Sequence, residues 1–206
     1  MLGMEDAFKA IKLRAAAMAE AAEATGGSMA AIIGSDNETI AKVCEEVNGF
    51  CAPANYNSPQ QTVIAGESAA IDEAVAKFAE MGKRAVKLAV SAAFHTKLMA
   101  GAAEKFKGEI AGFPFKAPNC DFYSNLYGRK LDDFSDMPSY LAAHICSPVK
   151  FVDELSAMQS AGIEAYVELG PGKVLTGLVK KFDRSANAMH IENAETLEKA
   201  LAALKG

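Results

Sequence analysis

Between residues 28 and 90 the chain runs through strand-like and helix-like patterns in an order that few folds accommodate. Met29 to Ile33 is a short apolar run ending at Gly34, and the Ser35/Glu38 spacing that follows predicts a reciprocal capping box at a helix start. Apolar stretches at Phe50–Ala54 and Thr62–Ala65 flank the polar segment Asn55-Tyr56-Asn57-Ser58-Pro59-Gln60, which reads as a loop. A further helix places Ile71, Ala74, Val75 and Phe78 on one face, and Ala85–Val90 closes the set. The order strand, helix, strand, strand, helix, strand is that of a ferredoxin-like unit.

The flanks follow a different rhythm. From Met4 to Ala24 the apolar residues Met4, Phe8, Ile11, Ala15, Met18 and Ala22 recur at helical spacing, with Glu5, Lys9, Lys12, Glu20 and Glu23 opposite. Gly26-Gly27 ends that helix. Beyond Val90 longer helices alternate with single strands: a helix from about Thr96 to Ala111, a strand at Asp121–Ser124 and helices on either side of Ser147-Pro148. A strand at Ala165–Leu169, a helix after Gly170-Pro171-Gly172, a strand at Ala188–Ile191 and a terminal helix complete it. Such alternation argues for an α/β sheet. The expected organisation is a large α/β lobe made of residues 1–25 and 91–206, into which a ferredoxin-like subdomain of residues 26–90 is inserted.

Composition excludes several functions. A net charge of −5 does not suit a nucleic-acid binder, which needs a cationic face to neutralise phosphates. The four cysteines form no C-x-x-C pair and there are three histidines, so neither zinc-site nor disulfide-framework spacing is present. No leader-like start and no long apolar run point to a membrane, and a cytoplasmic location is expected.

Two residues stand out as carriers of chemistry. Arg14 projects between Ala7 and Met18, beside the apolar face of the first helix. A guanidinium there needs an anionic partner, either one of the chain's own carboxylates or a bound substrate carboxylate. His95 lies at a strand-to-helix corner in Ala92-Ala93-Phe94-His95-Thr96, where α/β proteins place reacting groups, although a lone histidine is more often structural than catalytic. Gly170-Pro171-Gly172-Lys173 is not a phosphate loop, because Val174 stands where Ser or Thr is required and Val167 where the first glycine is required. It reads as a tight turn before a helix N-terminus that, with Lys173, attracts anions weakly.

Ala92-Ala93-Phe94-His95, Asn55-Tyr56-Asn57-Ser58-Pro59, Ser147-Pro148-Val149-Lys150-Phe151 and Glu168-Leu169-Gly170-Pro171-Gly172-Lys173-Val174-Leu175-Thr176-Gly177-Leu178 together resemble successive blocks of the malonyl-CoA:acyl carrier protein transacylases. The resemblance implies an α/β-hydrolase-like acyltransferase lobe with the inserted ferredoxin-like subdomain. It also implies transfer of malonyl from malonyl-CoA, through a serine ester, to the phosphopantetheine thiol of acyl carrier protein in fatty acid biosynthesis. No cofactor is expected, since the phosphopantetheine travels on the partner. In this resemblance His95 is the base that activates the serine and Arg14 holds the free malonate carboxylate. His144 takes the position whose main-chain carbonyl orients the histidine and that usually holds Gln, while Asn57 matches a loop asparagine near the site and Gln60 replaces a glycine of that loop. Phe94 occupies the position that selects malonyl over branched extenders, since its ring leaves little room for a 2-methyl group.

The family's serine sits on a Gly-x-Ser-x-Gly elbow upstream of its first matching helix. No such motif occurs here, Gly66-Glu67-Ser68-Ala69-Ala70 being the nearest approach. The chain is therefore expected to correspond to the C-terminal two-thirds of such an enzyme and to be inactive alone, with a complementary N-terminal fragment as a partner. The competing reading is a non-catalytic module for acyl carrier protein or CoA esters, with Lys173, Lys180, Lys181 and Arg184 facing an acidic surface. A cysteine hydrolase built on Cys51 or Cys146 has no sequence support.

Overall fold

A computed structural model describes residues 1–205 of the chain. Helix α1 (Met4–Thr25) leads into β1 (Ser28–Ile33), α2 (Asn37–Glu46), β2 (Cys51–Ser58), β3 (Gln61–Gly66), α3 (Ser68–Glu80) and β4 (Arg84–Lys87). The four strands form one sheet in the order β2-β3-β1-β4, with every neighbour antiparallel, as a ferredoxin-like unit requires. Successive side chains of a strand point to opposite faces, and β1 is buried on both. Ala30 and Ile32 pack with Ile40, Ile71 and Phe78 of α2 and α3, whereas Met29 and Ala31 pack with Ala93 and, beside them, Phe94 and Leu98. Each fully buried Ile or Phe of this kind contributes about 1.5–3 kcal/mol of transfer free energy. The second face of the sheet thus becomes the seat of the segment that carries His95.

Two local expectations are corrected here. The α2 start is capped by Asp36, whose Oδ1 accepts from the Thr39 amide at 2.7 Å, while the Ser35 hydroxyl is buried without a partner among the described residues. A carboxylate at the helix N-terminus is the stronger acceptor and meets the positive end of the dipole, so the cap sits one residue later than the Ser35/Glu38 spacing suggests. Asn55–Ser58 is strand rather than loop, and the hairpin turns on Pro59 and Gln60 alone. β2 tolerates Pro53 and the polar run because it is the end strand of the sheet and carries two bulges, with Ala54 and Asn57 as the residues that skip pairing. Its outer side is met by Val149, which bonds Tyr56 and Ala54 through the backbone at 2.8 Å each.

The rest is α/β. A 3-10 turn (Lys97–Met99) opens α4 (Ala100–Ile110), so the expected helix at Thr96 starts with a tighter turn. A hairpin of β5 (Tyr123–Ser124) and β6 (Arg129–Lys130), α5 (Met137–Ile145), α6 (Phe151–Ser160), β7 (Ala165–Leu169), α7 (Val174–Phe182), β8 (Asn187–Ile191) and α8 (Ala194–Lys205) follow. β7 and β8 run parallel, as a strand-helix-strand crossover demands. Among the described residues no helix is long and apolar enough to cross a membrane.

α1 does not bury the face its pattern suggests. Met4, Phe8 and Ile11 are 90%, 65% and 65% exposed, and the packed side instead presents Ala10 and Ala17, with Leu13, Met18 and Ala21 half-buried, against Phe106 and Ile110 of α4. Alanines at the contact let the helix axes approach closely, a gain that summed apolarity does not report. Arg14 lies on this packed side.

Candidate active site

The turn Ala93-Phe94-His95-Thr96 presents the central side chain. His95 adopts φ 60°, the sole non-glycine residue with positive φ among those described, and such a backbone is disfavoured by a β-carbon. Buried Thr96 holds the turn: its hydroxyl donates to the Ala93 carbonyl at 2.7 Å and accepts from the Leu98 amide at 3.3 Å. Phe94 is half-buried and joins two cores, the helix-packed one of α1, α4 and α5 and the one under the sheet, so it has a packing role whatever else it does.

His95 Nδ1 lies 3.1 Å from the His144 carbonyl oxygen. A carbonyl only accepts, so Nδ1 carries the proton in this bond, and the neutral ring keeps its lone pair on Nε2. The carbonyl is available because it belongs to the last turn of α5, where helical C=O groups lack intrahelical partners. The His144 ring itself stands edge-on to that of His95, with centroids 5.9 Å apart, and lies at a tilt to Tyr140. Tyr140 in turn donates its hydroxyl to the wholly buried Ser124 at 2.8 Å, tying α5 to the β5 hairpin. Thr96, Tyr140 and Ser124 escaped the sequence reading because hydroxyls that hold a turn or a helix carry no spacing signature.

Charge acts on both imidazoles. Burial pushes His95 below its ordinary value, the bond to the His144 carbonyl opposes this, and the Arg14 cation adds to the depression. His144 is pushed down to about 4 by burial, by His95 and by Arg14. Arg14 is therefore close enough to act on both rings, although it lies 81 residues before His95 and 130 before His144 in sequence. It is half-buried, and among the described residues none of the ion pairs involves it. The reading in which one of the chain's own carboxylates neutralises Arg14 finds no support in this geometry. The arrangement offers a neutral imidazole with its lone pair on Nε2, within electrostatic reach of a cation that has no ion-pair partner among the described residues.

The remaining candidates fall around and away from this group. Asn57 is one of the two bulged residues of β2, two positions from the Asn55–Val149 bridge, on the strand that meets the segment just after α5. Gln60 closes the hairpin with an ordinary negative φ, its carbonyl accepting from the Gly34 amide at 2.9 Å. The α7 N-terminus is not an open anion site: Glu168 accepts from the Leu175 amide at 3.0 Å, the Thr176 amide at 2.7 Å and the Thr176 hydroxyl at 2.7 Å. Partial burial raises the Glu168 carboxyl, but these bonds outweigh it and the net direction is down. Cys51 Sγ touches Cys44 Sγ at 3.3 Å, and Cys146 Sγ approaches only main-chain carbonyls, so neither thiol meets an imidazole.

Comparison with known proteins agrees with this frame. Residues 1–202 match the acyl transferase domain. A malonyl CoA-acyl carrier protein transacylase of Bacillus subtilis (strain 168) is 35% identical over 208 residues, which cover 99% of this chain and 66% of that protein. The chain thus spans just under two thirds of the length of such relatives. The crystal structure of a malonyl CoA-acyl carrier protein transacylase from Clostridium perfringens superposes with a TM-score of 0.95 at 33% identity, covering 99% of this chain and 65% of that one. A malonyl-transacylase solved in complex with a type II PKS acyl-carrier protein gives 0.92 at 32% identity, covering 98% of this chain and 66% of that one. With a match along almost its whole length and the fold of the solved relatives, this chain belongs to the acyl transferase domain family.

Proposed function

We propose that these residues form the base-and-clamp part of a malonyl transfer site, acting on malonyl-CoA and the phosphopantetheine thiol of acyl carrier protein. The observation that carries the reading is the His95 Nδ1 bond to the His144 carbonyl, which leaves Nε2 as the proton acceptor, with unpaired Arg14 alongside. In this reading a serine on a Gly-x-Ser-x-Gly elbow comes from a segment outside these residues. Nε2 takes the proton of its hydroxyl as the oxygen attacks the thioester carbonyl, and returns it to the departing CoA sulfur. The second half runs in reverse: the carrier thiol gives its proton to Nε2, its sulfur takes the malonyl group and the serine oxygen leaves with that proton. Arg14 pairs with the free malonate carboxylate through its bidentate fork, which fixes the acyl group relative to His95. In this reading Phe94 narrows the space beside the acyl C2, and Asn57 takes the part of the family's loop asparagine near the site.

In the same reading residues 26–90 act as a ferredoxin-like subdomain and residues 1–25 with 91–206 as the larger lobe. The closure of one antiparallel sheet within residues 28–87 supports that division.

Radiolabelled malonyl transfer from malonyl-CoA to acyl carrier protein tests the proposal, using the chain with and without a separately expressed segment that bears the elbow. Transfer is expected in the mixture alone, lost in His95→Ala and weakened in Arg14→Ala. Transfer by the chain alone would show another nucleophile, and binding of the carrier without transfer in any mixture would favour a non-catalytic module.

A further inference from the structure

The carbonyl that faces His95 Nδ1 belongs to His144, the residue before the last of α5, so the orientation of the imidazole depends on how that helix is held. α5 is nine residues long, too short to be stable by itself. One of its faces, with Ala142 and Ile145, packs with Ala102, Phe106 and Ile110 of α4. Apolar burial has no direction, so it fixes how near the two helices lie but not how α5 is rolled about its axis. The opposite side carries Tyr140 and His144, four residues apart and therefore neighbours on the helix surface. Among the described residues the side chains of α5 make one hydrogen bond to another element: the Tyr140 hydroxyl donates to the Ser124 hydroxyl at 2.8 Å. Ser124 is a firm anchor. It is wholly buried and also accepts from the Tyr127 amide at 3.3 Å, while its carbonyl accepts from the Gly128 amide at 2.7 Å. Next to it the Asn125 carbonyl accepts from the Lys150 amide at 2.8 Å, and Asn125 Nδ2 donates to buried Glu154 of α6. Gly128 closes the hairpin at φ 65°, where a β-carbon would collide with Asp153 of α6, so the turn is pressed against that helix.

We propose that Tyr140 and Ser124 are positioning residues for the base: the bond between their hydroxyls fixes the roll of α5, aims the His144 carbonyl at His95 Nδ1, and thereby keeps the proton on Nδ1 and the lone pair on Nε2. The lever is short. A backbone atom lies about 2.3 Å from the helix axis, so a roll of about 20° moves it by about 0.8 Å, enough to carry a contact of 3.1 Å beyond bonding distance. Which ring nitrogen of a histidine holds the proton is set by the hydrogen bond the other side of the ring makes. Without the carbonyl the ring is released to place its proton on Nε2, and that nitrogen then has no lone pair with which to take another. The inference rests on the reading that His95 Nε2 is the proton acceptor, and it adds what holds that nitrogen in the accepting form.

Nitrogen-15 NMR of the 206-residue chain reads the tautomer of each imidazole, and His95→Asn assigns the His95 signals among the three histidines. At about pH 8, where a histidine ring is neutral, the parent should hold the His95 proton mainly on Nδ1. Tyr140→Phe keeps the ring and its packing with Phe122, Tyr127 and His144 and removes only the hydroxyl. That variant and Ser124→Ala should each lower the ratio of Nδ1-H to Nε2-H by about five-fold, the scale of one ordinary hydrogen bond. Because one bond is shared, the double variant should shift no further than either single one. Glu168→Ala, which loosens the start of α7 instead, should keep the parent ratio, and circular dichroism checks that each variant folds. An Nε2-H parent, an unchanged ratio in Tyr140→Phe, or the same shift in Glu168→Ala overturns the proposal. In the complemented transfer assay kcat should fall in step with the Nδ1-H fraction while KM for malonyl-CoA stays unchanged. A shifted ratio with kcat unmoved keeps the positioning role and sinks His95 as the base, while a lower kcat with the ratio unmoved does the reverse.

Discussion

His95 holds its imidazole out on left-handed backbone, with Thr96 as the brace. Asparagine tolerates that region best among residues with a β-carbon, whereas a β-branched residue resists it. His95→Asn should therefore remove malonyl transfer by about 10²–10⁴-fold in the complemented system while keeping stability within about 1–2 kcal/mol of the parent. His95→Val should lose transfer equally and unfold earlier than His95→Asn by about 1–2 kcal/mol, the backbone cost at this position. Chemical denaturation beside the transfer assay reads both numbers. The candidate histidine itself was legible from its corner position and its block, but its strained φ was not, because a positive φ leaves no trace when the residue is not glycine.

Elements set the angle at which those residues meet. The α7 start depends on one side chain, Glu168 at the end of β7, which satisfies two backbone amides and a hydroxyl of the first turn. Glu168→Ala should cost about 1–2 kcal/mol, as the loss of a helix cap does, lowering the thermal midpoint by a few degrees and speeding amide exchange over residues 174–177. α4 carries the opposite opportunity. Gly108 lies on its exposed side with open space where a β-carbon would sit, so Gly108→Ala should stabilise the chain by up to about 1 kcal/mol in the same melt. The element order from β1 to β4 was readable because alternation and helical period are local signals. The face that α1 buries was not, because Ala10 and Ala17 win their place through close packing against α4 while the more apolar Met4, Phe8 and Ile11 stay exposed.

At the scale of the whole molecule two buried titratable groups pull stability in opposite directions. Burial raises the Glu154 carboxyl to about 7, with the bond from Asn125 opposing it, and His144 falls to about 4. Between about pH 4.5 and 7 the unfolded chain loses the Glu154 proton before the folded one does, so this group's contribution falls as pH rises. Between about 4 and 6.5 the unfolded chain keeps a His144 proton that the folded one refuses, so that contribution rises with pH and is lost as pH falls through 4. Each shift corresponds to roughly 3 kcal/mol at most. From pH 4.5 to 6.5 these two contributions offset each other, while the depressed His95 adds to the rise with pH. Glu154→Gln should therefore climb with pH more steeply than the parent chain, and His144→Gln less steeply; denaturant melts at a series of pH values measure the slopes, and parallel curves for all three chains would refute the assignment.

Sequence by itself determined the alternation of elements, the ferredoxin-like order and the four blocks that carry the family resemblance, since each is written in neighbouring residues. It also marked Arg14 and His95 as unusual for their positions. Only the tertiary structure brought Arg14 within electrostatic reach of His95 and His144, turned the α5 carbonyl onto the ring and seated the His95 turn on the sheet. Those outcomes depend on contacts between residues far apart in the chain, where burial, the reach of a charge and the fit of alanines against a neighbouring helix decide, and no local pattern encodes them.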